Sequence, residues 1–334
     1  MEDTKFTSPT SFSETEDLDQ EVQELLSSLP KGKGWFGADL CQCQGFWCQT
    51  NFLRNVICSQ RFFQSHDQDI ILASFPKSGT TWLKALIFSI VNRSRYTSSN
   101  TPLLTSSPHK LVSFLELDLF DKKELPIDLI STTRTPSTSP RLFATHIPYS
   151  SLPESIKKSN CRIVYICRNP FDVVVSWFHF LTQHKHAEKL DEEHFESFFK
   201  GEVAGGPFWD HVLGFWKESL ERPHKVSFLM YDDMKEDIVT HLKRLAEFIG
   251  YPFSTEEETQ GVIREIATLC SLKSLKDLEV NKSGNYLPDH ANNSFFRKGK
   301  VGEGVNYLSS STKQRLENVM QEKLSGSGLT FKMS

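Results

Sequence analysis

A chain of 334 residues, 38% of them hydrophobic and 26 of them phenylalanine, can bury a core of its own and line it, or a pocket, with aromatic rings. A formal net charge of −4 excludes a non-specific nucleic-acid binder, so any anion must be caught by local groups. The seven cysteines form an odd set without metal-ligand spacing, which leaves no zinc site to build and fits reduced thiols.

The first residues, Met1-Glu2-Asp3-Thr4, are acidic and polar, with no apolar signal core. No apolar run approaches the roughly 20 residues of a membrane span. These features lead to the expectation of a cytoplasmic protein with no membrane and no nucleic-acid partner. Residues 1–16 are rich in Ser, Thr and acid and read as a disordered tail, followed by one domain over residues 17–334. Residues 17–29 suit an amphipathic helix that stops before Pro30. Trp35, Phe46, Trp47 and Phe52 then fall in a stretch of mixed helix and loop, as packed aromatics or as the wall of a pocket.

Ile70-Ile71-Leu72-Ala73-Ser74-Phe75 reads as a buried strand, Pro76-Lys77-Ser78-Gly79 as a tight turn, and Thr80 to Val91 as a helix with one apolar face. Strand, turn and helix in that order point backbone N–H groups and a helix dipole at one anion. Lys77 adds a mobile charge, and Ser78, Thr80 and Thr81 add hydroxyl donors. The nucleoside-triphosphatase loop needs two glycines spaced around a Lys-Ser/Thr pair, whereas here Lys77 precedes the single Gly79. The shorter loop suits one phosphate-like group.

Residues 92–108 and 122–139 are polar and loop-like. Residues 141–145 form a short strand ending at His146, a helix lies near residues 153–158, and a third strand covers residues 162–167. The next helix is announced by Asn169 as cap, Pro170 in first position and Asp172 in the first turn. A polar segment runs through Glu193, then comes a helix from Phe208 to Leu220, a fourth strand over residues 226–230 and a helix over residues 238–249. Two further helices fit between Thr255 and Leu278, a long loop covers residues 281–304, and a helix over residues 312–324 closes the chain.

Alternating strands and helices imply an α/β fold, a central parallel β-sheet flanked by helices, whose ligands sit at the carboxyl ends of the strands. Lys77, His146, Arg168 and Tyr231 each follow a strand end. An arginine fork at Arg168 beside a helix N-terminus suits a dianionic phosphate. His146 has the near-neutral pKa of a base that takes a proton from a hydroxyl. Arg297-Lys298-Gly299-Lys300 sets cations and a glycine in a loop able to close over a phosphate.

Taken whole, Phe75-Pro76-Lys77-Ser78-Gly79-Thr80-Thr81-Trp82 resembles the 5′-phosphosulfate loop of the cytosolic sulfotransferases, which use 3′-phosphoadenosine 5′-phosphosulfate as donor. The segment Arg168 to Trp177 resembles the family's 3′-phosphate motif, and Phe295 to Gly302 its lid. The resemblance implies a P-loop-like phosphosulfate-binding strand–loop–helix. It implies donor contacts from Lys77, Ser78, Gly79, Thr80, Thr81, Trp82, Arg168, Ser176, Tyr231, Phe295, Arg297, Lys298 and Gly299. It assigns catalysis to His146 as base, Lys77 at the leaving oxygen and Ser176 holding Lys77 back, and requires no metal. Leu29 to Trp35, Gln44 to Trp47 and Gly326 to Leu329 look like the plant branch, whose acceptors are small hydroxylated molecules: flavonols, brassinosteroids, hydroxyjasmonates and desulfoglucosinolates. Trp47, Phe114, Ile147, Tyr149 and Phe180 are candidates for the acceptor pocket by proximity to the motifs.

Three departures stand out. Gly302-Glu303-Gly304-Val305 replaces the usual Gly-Asp-Trp-Lys, which removes an aromatic anchor from the lid. Leu272 stands where relatives carry Phe, and the animal dimer motif is not recognisable between Val305 and Thr312, so a monomer or weak dimer is expected. A phosphate-loop kinase and a catalytically silent nucleotide-binding module are the alternatives. The first is opposed by the glycine–lysine spacing and the second by retention of Lys77, His146 and Ser176.

Overall fold

The computed structural model describes residues 12–120, 140–182, 190–287 and 290–332, so the segment 122–139 and most of the N-terminal tail lie outside the described residues. Helix α1 (Phe12–Ser28) starts earlier than the composition suggests. Strands β1 (Lys31–Lys33), β2 (Asp39–Cys43) and β3 (Phe46–Gln49) then form a small antiparallel sheet, not the helix and loop expected there. Gln44 and Gly45 join β2 to β3 with φ of 53° and 86°, the two-residue turn whose twist matches that of the strands.

After α2 (Leu53–Phe62) come β4 (Ile70–Ser74), α3 (Thr80–Asn92), the short β5 (Ser113–Phe114), β6 (Leu142–Thr145), β7 (Arg162–Cys167) and α4 (Pro170–Leu181). Helices α5 (Glu192–Lys200) and α6 (Phe208–Glu221), strand β8 (Val226–Met230) and helix α7 (Ile238–Phe248) follow. Helix α5 occupies part of a segment that looked simply polar; Asp191 caps it by accepting from the His194 N–H at 3.2 Å. Three helices, not two, fill residues 255–277, because Gly261 with φ 79° breaks the run.

The main sheet has the order β5-β6-β4-β7-β8, with every pairing parallel. Side chains alternate across a strand, and the strand sequences use both faces. Ile70 and Leu72 of β4, with Val164 and Ile166 of β7, pack against Leu83, Leu86, Ile87 and Ile90 of α3 and Leu242 and Leu245 of α7. Ile71 and Ala73, with Ile163, Tyr165 and Cys167, face Val173, Val174 and Trp177 of α4 and Val212 and Phe215 of α6. Each such fully buried aliphatic chain stabilises by roughly 1.5–3 kcal/mol over an exposed one. Asp69 and Arg141 lock the starts of β4 and β6 through two hydrogen bonds of 2.8 and 2.6 Å. The sheet's carboxyl ends therefore share one edge, where Lys77, His146, Arg168 and Tyr231 stand. All seven cysteines are free and buried. Among the described residues, no helix is long and apolar enough to cross a membrane.

Candidate active site

The loop after β4 is strained where it does its work. Lys77 has φ 68°, a left-handed conformation uncommon for a residue with a side chain, and Gly79 has φ 114°. A Cβ at Gly79 would meet the Tyr231 ring at 2.8 Å, so only glycine lets the loop pass under that ring. Helix α3 begins directly at Thr80, aiming its N-terminus into the cavity. The Lys77 ammonium lies 3.6 Å from the centroid of Phe180 and 5.3 Å from that of Phe295. Enclosure, and next the charges of Arg168 and Arg297, bring its pKa down to about 7. Among the described residues no hydrogen bond joins Lys77 to Ser176; Phe180 holds the ammonium instead.

His146 sits at the end of β6 with its ring orientation fixed. Its Nδ1 lies 2.7 Å from the Ser74 carbonyl oxygen, which can only accept, so Nδ1 carries the hydrogen and Nε2 keeps its lone pair. Burial, ahead of the charges nearby, lowers the imidazole pKa to about 3, so the ring is neutral at physiological pH. Glu116 anchors the turn: its two carboxylate oxygens accept from the His146 N–H at 2.6 Å and the Thr145 hydroxyl at 2.9 Å. Burial raises the Glu116 pKa to about 7 against the pull of these bonds. Behind the site, His211 Nε2 donates to the His146 carbonyl at 3.0 Å, which leaves Nδ1 to accept from the Tyr165 hydroxyl at 2.9 Å.

On the other side, Arg168 donates to Asp172 at 3.0 Å and to the Lys300 carbonyl at 2.7 Å, with its guanidinium 4.7 Å from the Tyr231 centroid. Its buried Nε has no hydrogen-bond partner among the described residues. A buried donor of this kind calls for an acceptor, and an anion in the adjoining cavity fits. The loop 297–304 closes over this side. Asp172 accepts from the Gly302 and Gly304 N–H groups at 3.0 and 2.7 Å, and Tyr231 donates to the Gly299 carbonyl at 3.1 Å. Glu303 lies among Arg297, Lys298 and Lys300 at 3.8, 3.2 and 3.9 Å.

The glycine that replaces the aromatic anchor is thus itself an anchor. A Cβ at Gly304 would come within 2.4 Å of the Phe171 carbonyl carbon, backbone that cannot move aside easily. Gly304→Ala is expected to lift the loop off Asp172, destabilise the fold by about 1–3 kcal/mol and weaken nucleotide binding. Thermal melts and calorimetric titration with adenosine 3′,5′-bisphosphate check both effects.

These groups line one cavity of about 770 Å³. Lys77, Gly79, Thr80, Thr81, Trp82, His146, Arg168, Ser176, Tyr231, Phe295, Arg297, Lys298 and Gly299 all contribute to its wall. Ser78 does not: its side chain is fully buried and its N–H donates to the Phe75 carbonyl at 3.2 Å. Trp82 and Tyr231 meet edge to face at 5.3 Å, and both line the cavity wall together with Leu272. A Cβ on Gly299 would reach Leu272 at 2.8 Å, so loop and wall are matched in shape.

The opposite end is aromatic. Trp47, Phe114, Ile147 and Phe180 line it as the sequence suggests, joined by Phe46, Phe52 and His290. Tyr149 does not. The turn Tyr149–Ser151 carries its ring onto Phe215, 5.5 Å away, and its hydroxyl accepts from Arg222. Of the early aromatics, Trp35 is core, packed on Trp177 at 5.7 Å, whereas Phe46, Trp47 and Phe52 are wall. Glu116, His109 and Tyr286 also reach the cavity, and sequence reading passes over them. A lone carboxylate two residues past the end of β5, in the otherwise apolar run Phe114-Leu115-Glu116-Leu117, is the signal available for the first. Among the described residues no cluster of His, Cys, Asp and Glu could hold a metal ion.

Residues 67–328 match the family model described as a sulfotransferase domain. The chain is 48% identical to cytosolic sulfotransferase 15 of Arabidopsis thaliana, over 96% of its own length and 90% of the relative's. It is 47% identical to cytosolic sulfotransferase 14 of the same plant, over 96% and 93%. A sulphotransferase crystal structure from Arabidopsis thaliana superposes with a TM-score of 0.72 at 39% identity, covering 98% of this chain and 100% of that one. A mouse sulfotransferase complexed with PAP superposes with a TM-score of 0.65 at 28% identity, covering 86% and 94%.

Proposed function

The chain belongs to the plant cytosolic sulfotransferase family and is a sulfotransferase, and from that premise we propose that it moves a sulfuryl group from 3′-phosphoadenosine 5′-phosphosulfate to a hydroxyl of a small aromatic or apolar acceptor. The observation that carries this reading is convergence. The β4–α3 loop, His146, Arg168 and the 297–299 loop, drawn from four parts of the chain, line a single cavity.

The donor supplies a sulfate activated on its 5′-phosphate. Lys77, Thr80, Thr81 and the N-terminus of α3 receive that end; Arg168, Ser176 and Arg297-Lys298-Gly299 receive the 3′-phosphate; Trp82, Tyr231 and Phe295 flank the base. His146 Nε2 takes the proton of the acceptor hydroxyl as that oxygen attacks sulfur. Lys77 leaves the Phe180 ring to donate to the bridging oxygen, where charge develops. Glu116 keeps His146 in register throughout, and its two hydrogen bonds oppose any misplacement of the ring.

The aromatic end of the cavity suits flavonol, brassinosteroid or hydroxyjasmonate acceptors better than the glycosylated desulfoglucosinolates. The enzyme works in the cytosol, as the names of its relatives say of them, and as a monomer or weak dimer. The test is transfer from ³⁵S-labelled donor across these four acceptor classes, with titration by ATP and by adenosine 3′,5′-bisphosphate in parallel. A labelled flavonol or steroid product, with bisphosphate binding tighter than ATP, is the expected outcome. Binding without product from any acceptor would overturn the enzymatic reading of this site, and tight binding of ATP alone would point to phosphoryl chemistry.

A further inference from the structure

Beneath the Lys77 loop lies a buried lysine, its pKa pushed well down by burial, that the chemistry of transfer does not use. Lys84, one turn into α3, is fully buried, with its ammonium 3.3 Å from the centroid of Phe114 and 3.2 Å from Nδ1 of His109. His109 is 4% exposed and its Nε2 lies 2.9 Å from the Thr81 hydroxyl oxygen. Tyr286 stacks on the imidazole at 4.7 Å, Phe295 lies tilted against it at 4.3 Å, and the Tyr286 hydroxyl donates to Asp118 at 2.5 Å. Keeping a lysine here is costly unless its hydrogen bond serves a purpose, since a methionine of similar length would pack against Phe114.

The direction of the hydrogen bonds follows from elementary valence. Lys84 has N–H groups to give, so His109 Nδ1 accepts. A neutral imidazole then bears its hydrogen on Nε2, and burial, ahead of the neighbouring lysines, keeps His109 neutral. Nε2 therefore donates to the Thr81 oxygen. A helical threonine otherwise tends to turn its hydroxyl back to its own helix, but among the described residues Thr81 Oγ1 bonds only to His109. Its hydroxyl hydrogen is free, and Thr81 lines the cavity at the loop.

We propose that Lys84 and His109 are positioning residues for the donor: Lys84 fixes the His109 tautomer, His109 holds the Thr81 oxygen, and the Thr81 hydroxyl hydrogen is thereby aimed at the 5′ end of the bound nucleotide. The inference rests on the donor assigned above. It adds a specificity for a phosphate or phosphosulfate at the 5′ position that the backbone cradle alone would not supply.

A double-mutant cycle tests it, with adenosine 3′,5′-bisphosphate as the probe in calorimetric titration and donor KM as the kinetic counterpart. Thr81→Val and His109→Phe are each expected to weaken binding about tenfold, the effect of one charge-assisted hydrogen bond. The double variant is expected to be no weaker than Thr81→Val alone, because both remove the same contact. His109→Gln, whose Nε2 amide can still donate to Thr81, should recover most of the loss. Lys84→Met should raise the Kd in the Thr81 protein and do nothing in the Thr81→Val background. Donor KM should move more than acceptor KM in each of them. Losses that multiply to about a hundredfold in the double variant, or a glutamine no better than phenylalanine, would overturn the relay. If His109→Phe melts too low to titrate, the Lys84→Met/Thr81→Val pair separates the same two outcomes. A wild-type protein that does not bind the bisphosphate at all would instead remove the donor assignment.

Discussion

Replacing His146 with alanine is expected to lower kcat by about 10²–10⁴-fold while leaving the affinity for adenosine 3′,5′-bisphosphate unchanged. The split follows from placement. The imidazole follows β6 directly and lies 4.7 Å from the Phe114 ring at the aromatic end of the cavity, and among the described residues its only side-chain hydrogen bonds go to Ser74. Of the groups proposed to hold the nucleotide, Thr80 is linked to it only through the shared Ser74 hydroxyl and the others make no hydrogen bond to it, so binding survives its loss. The low pKa of the ring, about 3, means that the free lone pair is present across the physiological range. The His146 ring should therefore impose no fall of its own on the acid side near pH 6, where an ordinary histidine base would, and any loss between pH 7 and 5.5 would report protonation of Glu116. Stopped assays with labelled donor from pH 5.5 to 8, beside calorimetry, check both halves. Near-normal turnover in the alanine variant would remove His146 from the chemistry.

Lys77→Met is expected to cost about 10²–10³ in kcat, the usual effect of losing one group that meets developing charge. A second consequence is specific to this site. Burial and two neighbouring arginines bring Lys77 to a pKa of about 7, and a phosphate dianion of the nucleotide beside it must raise that value. Below pH 7 the lysine is already protonated, so its contribution to affinity is constant. Above pH 7 binding must take up a proton, and affinity falls as pH rises until the pKa of the complex is reached. Calorimetry at pH 8 in buffers of different ionisation enthalpy should show proton uptake in the wild type and less in Lys77→Met. Equal uptake in the two proteins would mean that another group carries the linkage.

The sheet and the anion-binding end are legible in the sequence because their residues are covalent neighbours of strand ends. Residues 162–167 and 226–230 are short apolar runs that admit little choice, and Lys77, His146 and Arg168 follow strands directly. The aromatic end is less legible, because part of its wall, Phe46 and Trp47, comes from β3 of the small sheet, which lies far from the motifs in the chain. Three strands of five residues or fewer, rich in cysteine and glutamine, give little periodic signal. Tyr149 adjoins His146 in the chain yet not in space, because the turn after Pro148 reverses the backbone. His109 and Glu116 escape a sequence reading for another reason: their roles depend on partners at Thr81, Lys84 and Thr145 that no local pattern reveals. Gly304 looks like a missing anchor from sequence, and only the Phe171 backbone beside it shows why a larger residue has no room.

The carboxylate of Glu303, set among three cations of the closing loop, changes how the loop should answer to ionic strength. Those cations already have a tethered counterion, so an arriving phosphate exchanges one anion for another and displaces few mobile ions from solution. Nucleotide affinity should then decline only gently with added salt, more gently than three unpaired cations would dictate. The same tethered carboxylate can reclaim the cations once the product nucleotide begins to leave.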